Sequence, residues 1–172
     1  MLIVKGNEQY FSKEDILMAV FAAMVDTVAF HSAKTVPADV DWCQDKCQKY
    51  NFNTEELLTS SMCLTDISNL QEATLNGLKK HNLNNVKIAS SFLHLLNPDQ
   101  EKDKITAIID ILKDYRQQNN YTMFAFIVHD ITNFTSTLYK IYADRIETVR
   151  YNEYASRGTI VIPELTKEFQ NK

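Results

Sequence analysis

The chain has 172 residues, 45% of them hydrophobic, which is enough for one core within the usual size of a single domain. Its 18 Lys and Arg against 22 Asp and Glu leave a formal net charge of −4. That balance argues against a nucleic acid or an anionic membrane surface as partner, since both are gripped by a basic excess.

Met1 to Lys5 reads as a short strand or the remnant of a preceding linker, and the amino terminus MLIVK has neither a basic lead nor a cleavage site. A helix is expected from Ser12, whose hydroxyl caps it while Asp15 answers three residues on. Its apolar run, Ile16 to Val25, covers every face, so a buried helix is expected; the run is roughly half of what a bilayer span requires. A soluble, cytoplasmic protein follows as the expectation.

The segment KTVPADVDWCQDKCQKY restarts a helix with Pro37 in its first turn, where the missing N–H costs nothing. A third helix is expected at NTEELLTSSMC, with Asn53 as cap and Glu56 as its reciprocal partner. Val86 to Leu96 reads as a strand. The stretch after it, PDQEKDKITAIIDILKDYRQQ, reads as an amphipathic helix with Ile105, Ile108, Ile109 and Leu112 on one stripe. Tyr121 to Ile131 is aromatic and β-branched on both alternating faces, which suits a central strand covered on each side. STLYKIYA should lie beside it, and GTIVIPEL should give an apolar strand before Pro163 opens a short last helix. The expected fold is α/β (α+β): a helical first half, then a mixed β-sheet with helices packed on its faces.

Three cysteines cannot all pair with one another, and Cys43 and Cys47 lack the second ligand pair of a zinc clip, so free thiols, Cys63 included, are expected. Three Gly and three Pro leave no Gly-rich phosphate loop, and no G-x-S-x-G or Cys–His signature supports covalent catalysis.

Asp26 poses the sharpest question. A carboxylate at the end of a buried helix is penalised by desolvation and by the negative end of the helix dipole, so something should compensate it. A divalent cation would do so; a basic side chain, or a turn cap through Thr27 and Ser32, would do so too. Asp130 invites the same pair of readings, with a cap of the turn into TNFTS preferred. His31 and His129, each near one of these carboxylates, read as hydrogen-bonded structural residues. Arg157, beside Gly158 in YASRGTIVIP, suits a fork-like grip on phosphate oxygens or a solvated loop.

Three stretches together resemble one family. AAMVDTVAFHSAKTVPAD is similar to the segment opening the carboxy-terminal half of family II, manganese-dependent inorganic pyrophosphatases and their exopolyphosphatase and prune-type relatives, S-D-T-x-x-F-[KR]-S-P-T-x-T-x-x-D, matching at Asp26, Thr27, Phe30, Ser32 and Asp39. FIVHDITNFTSTLY resembles the family's V-T-D-I-x-x-x-x-S-x-L-L, matching at Val128, Asp130, Ile131, Ser136 and Leu138. SRGTIVIP resembles its closing S-R-K-K-Q-V-V-P at Ser156, Arg157, Val161 and Pro163.

The resemblance implies a DHH-associated carboxy-terminal domain over residues 12–172, with 1–11 as linker remnant or short strand, standing without its amino-terminal DHH domain. Asp26 then matches a metal-bridging carboxylate and Arg157 the substrate-holding arginine. His31 stands where the family has Lys or Arg, and Ala33 replaces a proline. A further phosphate-binding lysine falls at Lys79 or Lys80, with Leu78 as the alternative register. Gly158 and Thr159 stand where the family has two lysines. The function implied is the substrate-recognition half of a pyrophosphatase- or exopolyphosphatase-like hydrolase, inactive alone, using Mn²⁺ or Mg²⁺ only when a separate DHH catalytic half completes it. The alternative is a degenerate, non-catalytic binding or protein-interaction module, and a homodimer is a further possible assembly.

Overall fold

A computed structural model describes residues 5–32, 35–62 and 64–170 of the chain. The expectations for Met1–Val4, Ala33 and Cys63 lie outside the described residues. The chain forms two compact units, Met1–Cys63 and Leu64–Lys172.

The first unit is helical. A short 3₁₀ turn, Glu8–Tyr10, precedes α1 (Lys13–Thr27), α2 (Pro37–Tyr50) and α3 (Thr54–Ser61). Ser12 and Asp15 form the expected capping box: the Ser12 hydroxyl accepts from the Asp15 N–H at 3.1 Å, and the Ser12 N–H donates to Asp15 Oδ2 at 3.0 Å. Pro37 occupies the first turn of α2, and Asn53 Oδ1 accepts from the Glu56 N–H at 3.2 Å to cap α3. Ile16, Val20 and Met24 on α1 pack with Trp42, Cys43 and Cys47 on α2. Burial of α1 is a stripe and not the full circumference expected of it: Ile16 and Val20 are fully covered, whereas Met18 is 62% exposed. Its alanines are small enough to leave the outer face open, so apolar composition alone overstated the burial. Cys43 and Cys47 are free and buried, and burial pushes the Cys43 thiol up to about 12, which keeps it protonated.

The second unit carries a five-stranded sheet in the order β1 (Lys79–Leu83), β2 (Val86–Leu95), β3 (Met123–Asp130), β4 (Thr135–Ile141), β5 (Ile146–Tyr151). Only β2 and β3 run parallel, and α5 (Lys102–Gln118) makes the crossover between them. β3 is central and covered on both faces, as its unbroken apolar run requires. On one face Ala89, Leu93, Phe124, Phe126 and Val128 pack against Ile105, Ile108, Ile109 and Leu112 of α5 and against the short α4 (Leu70–Thr74). On the other, Ile88, Met123, Ala125, Ile127 and Leu138 pack against Val161 and Leu165 of the carboxy-terminal helical segment.

That last segment departs from expectation. GTIVIPEL forms no strand: Arg157–Val161 is a π-helical turn that leads directly into α6 (Ile162–Gln170). The Val161 N–H reaches the Ser156 carbonyl five residues back at 3.2 Å, and Pro163 cannot donate to the turn behind it. Val161, Leu165 and Phe169, spaced by four, form the apolar stripe that the helix presents to the sheet.

Candidate anion-binding site

The sequence-derived residues fall in both units. Asp26 and His31 belong to the first. Asp26 sits in the last turn of α1 and is exposed, so the oily surroundings that made its charge a puzzle are not there. The turn that follows is built from left-handed backbone at Val28, Ala29 and Phe30 (φ 50, 52 and 69°). Thr27 holds it: its hydroxyl donates to the Ala23 carbonyl at 2.6 Å and accepts from the Phe30 N–H at 3.1 Å, while the Thr27 carbonyl accepts from the Ser32 N–H at 2.8 Å. His31, at the end of this turn, is exposed overall; partial desolvation draws its pKa below the ordinary value.

Arg157, Lys79 and Lys80 belong to the second unit, where strand register sorts them. Lys79 pairs with Ser90 and Lys80 with Ala89. Residue 89 faces the α5 side and its neighbours 88, 90 and 92 face the α6 side, so Lys79 lies on the Arg157 face and Lys80 on the opposite one. Leu78, the alternative register position, packs against the α5-side core. His81, two residues beyond Lys79, returns to the Arg157 face, where its Nε2 lies 3.0 Å from Ser90 Oγ.

Arg157 is half-buried. Its Nη1 donates to the Gly77 carbonyl and its guanidinium carbon stands 5.4 Å from the centre of the Phe92 ring. Gly77 adopts φ +59°, and a Cβ there would meet Phe92 Cε1 at 2.2 Å, so this close passage of backbone over ring requires glycine. Among the described residues no carboxylate pairs with Arg157 or Lys79. Partial burial lowers the Arg157 pKa, and the charges of Arg157 and Lys79, after desolvation, hold that of His81 below its ordinary value.

Behind this patch the carboxyl ends of β2 and β3 carry a polar aromatic cluster. His94 and His129 are register partners with ring centres 5.0 Å apart, and His129 stacks on Tyr154 at 4.2 Å. His94 Nε2 lies 2.9 Å from the Tyr154 hydroxyl. His129 Nδ1 lies 2.8 Å from Ser136 Oγ, which also accepts from the Ala155 N–H at 2.8 Å. Burial, then His94, then Arg157 hold the His129 pKa well below 6.5, so the imidazole is neutral. His129 is thus hydrogen-bonded, as expected, and its partner is Ser136. Asp130 does cap its turn, accepting from the Thr132 and Asn133 N–H groups at 3.0 and 2.9 Å.

Sequence reasoning passed over His81, Phe92, His94 and Tyr154. The signal was present in the period-two spacing of Ser90, Phe92 and His94, which puts three non-aliphatic side chains on one face of the strand. Among the described residues no three His, Cys, Asp or Glu side chains gather as a metal-binding group, and no helix is long and apolar enough to cross a membrane.

No family model and no curated protein matches the sequence. Among solved structures the fold is similar to that of a Methanococcus jannaschii protein assigned as a family II inorganic pyrophosphatase, with a TM-score of 0.75 at 17% identity. The match covers 91% of this chain and 56% of that one, so this chain spans about half the length of its neighbour. At that identity the likeness establishes the α/β architecture and a pyrophosphatase-like fold.

Proposed function

We propose that the chain is the substrate-recognition half of a phosphoanhydride hydrolase of the family II pyrophosphatase type, corresponding to a DHH-associated domain. The observation that carries this reading is the pairing of Arg157 and Lys79 on one sheet face with no carboxylate partner among the described residues. A half-buried guanidinium loses hydration that a bound oxyanion replaces, and its planar fork retains donors beyond the one spent on Gly77. Pyrophosphate or a polyphosphate end is the ligand class. Lys80, on the far face, is left out of the site.

Catalysis is assigned to the assembly and not to this chain. On this reading any hydrolytic step that uses Mn²⁺ or Mg²⁺ belongs to that assembly. On the resemblance, Asp26 supplies one carboxylate to that assembly and a separate DHH half the remaining ligands. The alternative, a degenerate binding module, draws on Gly158 and Thr159: both are exposed and uncharged where the resemblance places lysines.

Titration calorimetry with pyrophosphate tests the reading. Binding that Arg157→Ala weakens by roughly tenfold or more supports it; heat that is absent, or unchanged by the substitution, contradicts it. Hydrolysis that appears only on adding a DHH half with Mn²⁺ separates the catalytic assembly from the degenerate module.

A further inference from the structure

We propose that His81 is a proton-gated third ligand of this site: an oxyanion held by Arg157 and Lys79 is also met by a protonated His81 imidazole, so binding takes up one proton. The inference rests on the anion-site reading above and goes beyond it by adding a residue and a pH dependence.

β1 puts Lys79 and His81 on the same face by its two-residue period, and the register sets Ser90 of β2 directly across from Lys79. Ser90 Oγ lies 3.0 Å from His81 Nε2, and a hydroxyl both donates and accepts, so it satisfies the ring in either charge state. The groups facing His81 are the Arg157 cation from the turn before α6, the Lys79 cation from its own strand and the neutral Ser90 from β2. No carboxylate pairs with His81 among the described residues.

Partial burial, and then the two cations, disfavour a charged imidazole in the free protein. An anion between them reverses the sign of the local field. The imidazolium is then favoured, and its N–H becomes a charge-assisted donor to the ligand. By linkage, the affinity for the anion rises as pH falls through the titration of the bound form, and levels off below that of the free form.

Sulfate is the probe, because its charge does not change between about pH 5 and 8. The His81 ring signal, identified by its loss in His81→Gln, is followed by NMR through a pH titration with and without saturating sulfate. The expected result is an upward move of the midpoint by about one unit, with sulfate binding up to about tenfold tighter at pH 5.5 than at 7.5. His81→Gln should flatten that pH dependence. An unmoved midpoint, Arg157-dependent sulfate binding that is equal at both pH values, or a variant as pH-dependent as the parent overturns the role of His81 and leaves the anion site standing. Absence of any Arg157-dependent binding of sulfate or pyrophosphate overturns both.

Discussion

Arg157 gives up part of its hydration and, within the described residues, gains a backbone carbonyl and an aromatic face in place of a carboxylate. The geometry depends on Gly77, whose positive φ and missing Cβ let the chain pass over Phe92. Gly77→Ala should therefore cost about 1–3 kcal/mol of stability through overpacking and left-handed strain, read as a lowered urea midpoint with unchanged slope. An unchanged midpoint would mean that Phe92 moves aside freely. His129 makes a pH prediction with a definite sign. Its folded pKa lies below the ordinary 6.5, so the unfolded chain binds the proton more readily and stability is lost as pH falls below about 6.5. The contribution to the slope is at most about 1.4 kcal/mol per pH unit. Denaturant titrations at pH 7.5, 6.5 and 5.5 should show the decline, and His129→Gln should shrink it; a flat profile would contradict the buried neutral ring.

At the scale of elements, the helix starts were the most legible features, because Ser12–Asp15, Pro37 and Asn53–Glu56 are local signals that tertiary packing did not override. The central strand was equally plain. The errors came where composition and period disagreed. TIVI is β-branched, yet Val161, Leu165 and Phe169 recur every four residues, and burial against the sheet made the helix win over strand propensity. Leu165, 1% exposed, anchors it, so Leu165→Ala should cost about 2–5 kcal/mol in chemical denaturation; a loss under about 1 kcal/mol would mean that α6 contributes little to the core. The edge strand β1, KKHNL, carries little apolar signal, as an exposed edge does when charge guards it against further pairing. β1 could still have been found from Asn84-Asn85, whose positive φ values of 49 and 68° make the two-residue hairpin. Missing that hairpin left Lys79 and Lys80 undistinguished, and the register places them on opposite faces of the sheet.

At the scale of the whole molecule, the fold of a pyrophosphatase neighbour is present over about half of that neighbour's length. The net charge of −4 means that any phosphate ligand is held against the overall field by a few placed cations, so removing one of them should be felt strongly. The candidate site was half legible. Arg157 and the lysine pair were visible as residue types, whereas the setting of Arg157 comes from the Gly77–His81 stretch and from β2, which only the fold brings to it. Asp26 shows the opposite failure: its charge looked costly in a linear run of apolar letters, and the helix turns it outward. The most direct test is a parallel titration of pyrophosphate into the parent chain, Lys79→Ala and Lys80→Ala. The account predicts that Lys79→Ala weakens binding several-fold and that Lys80→Ala, on the other face of the same strand, leaves it within about twofold. Equal losses in the two variants, or a loss confined to Lys80→Ala, would contradict it.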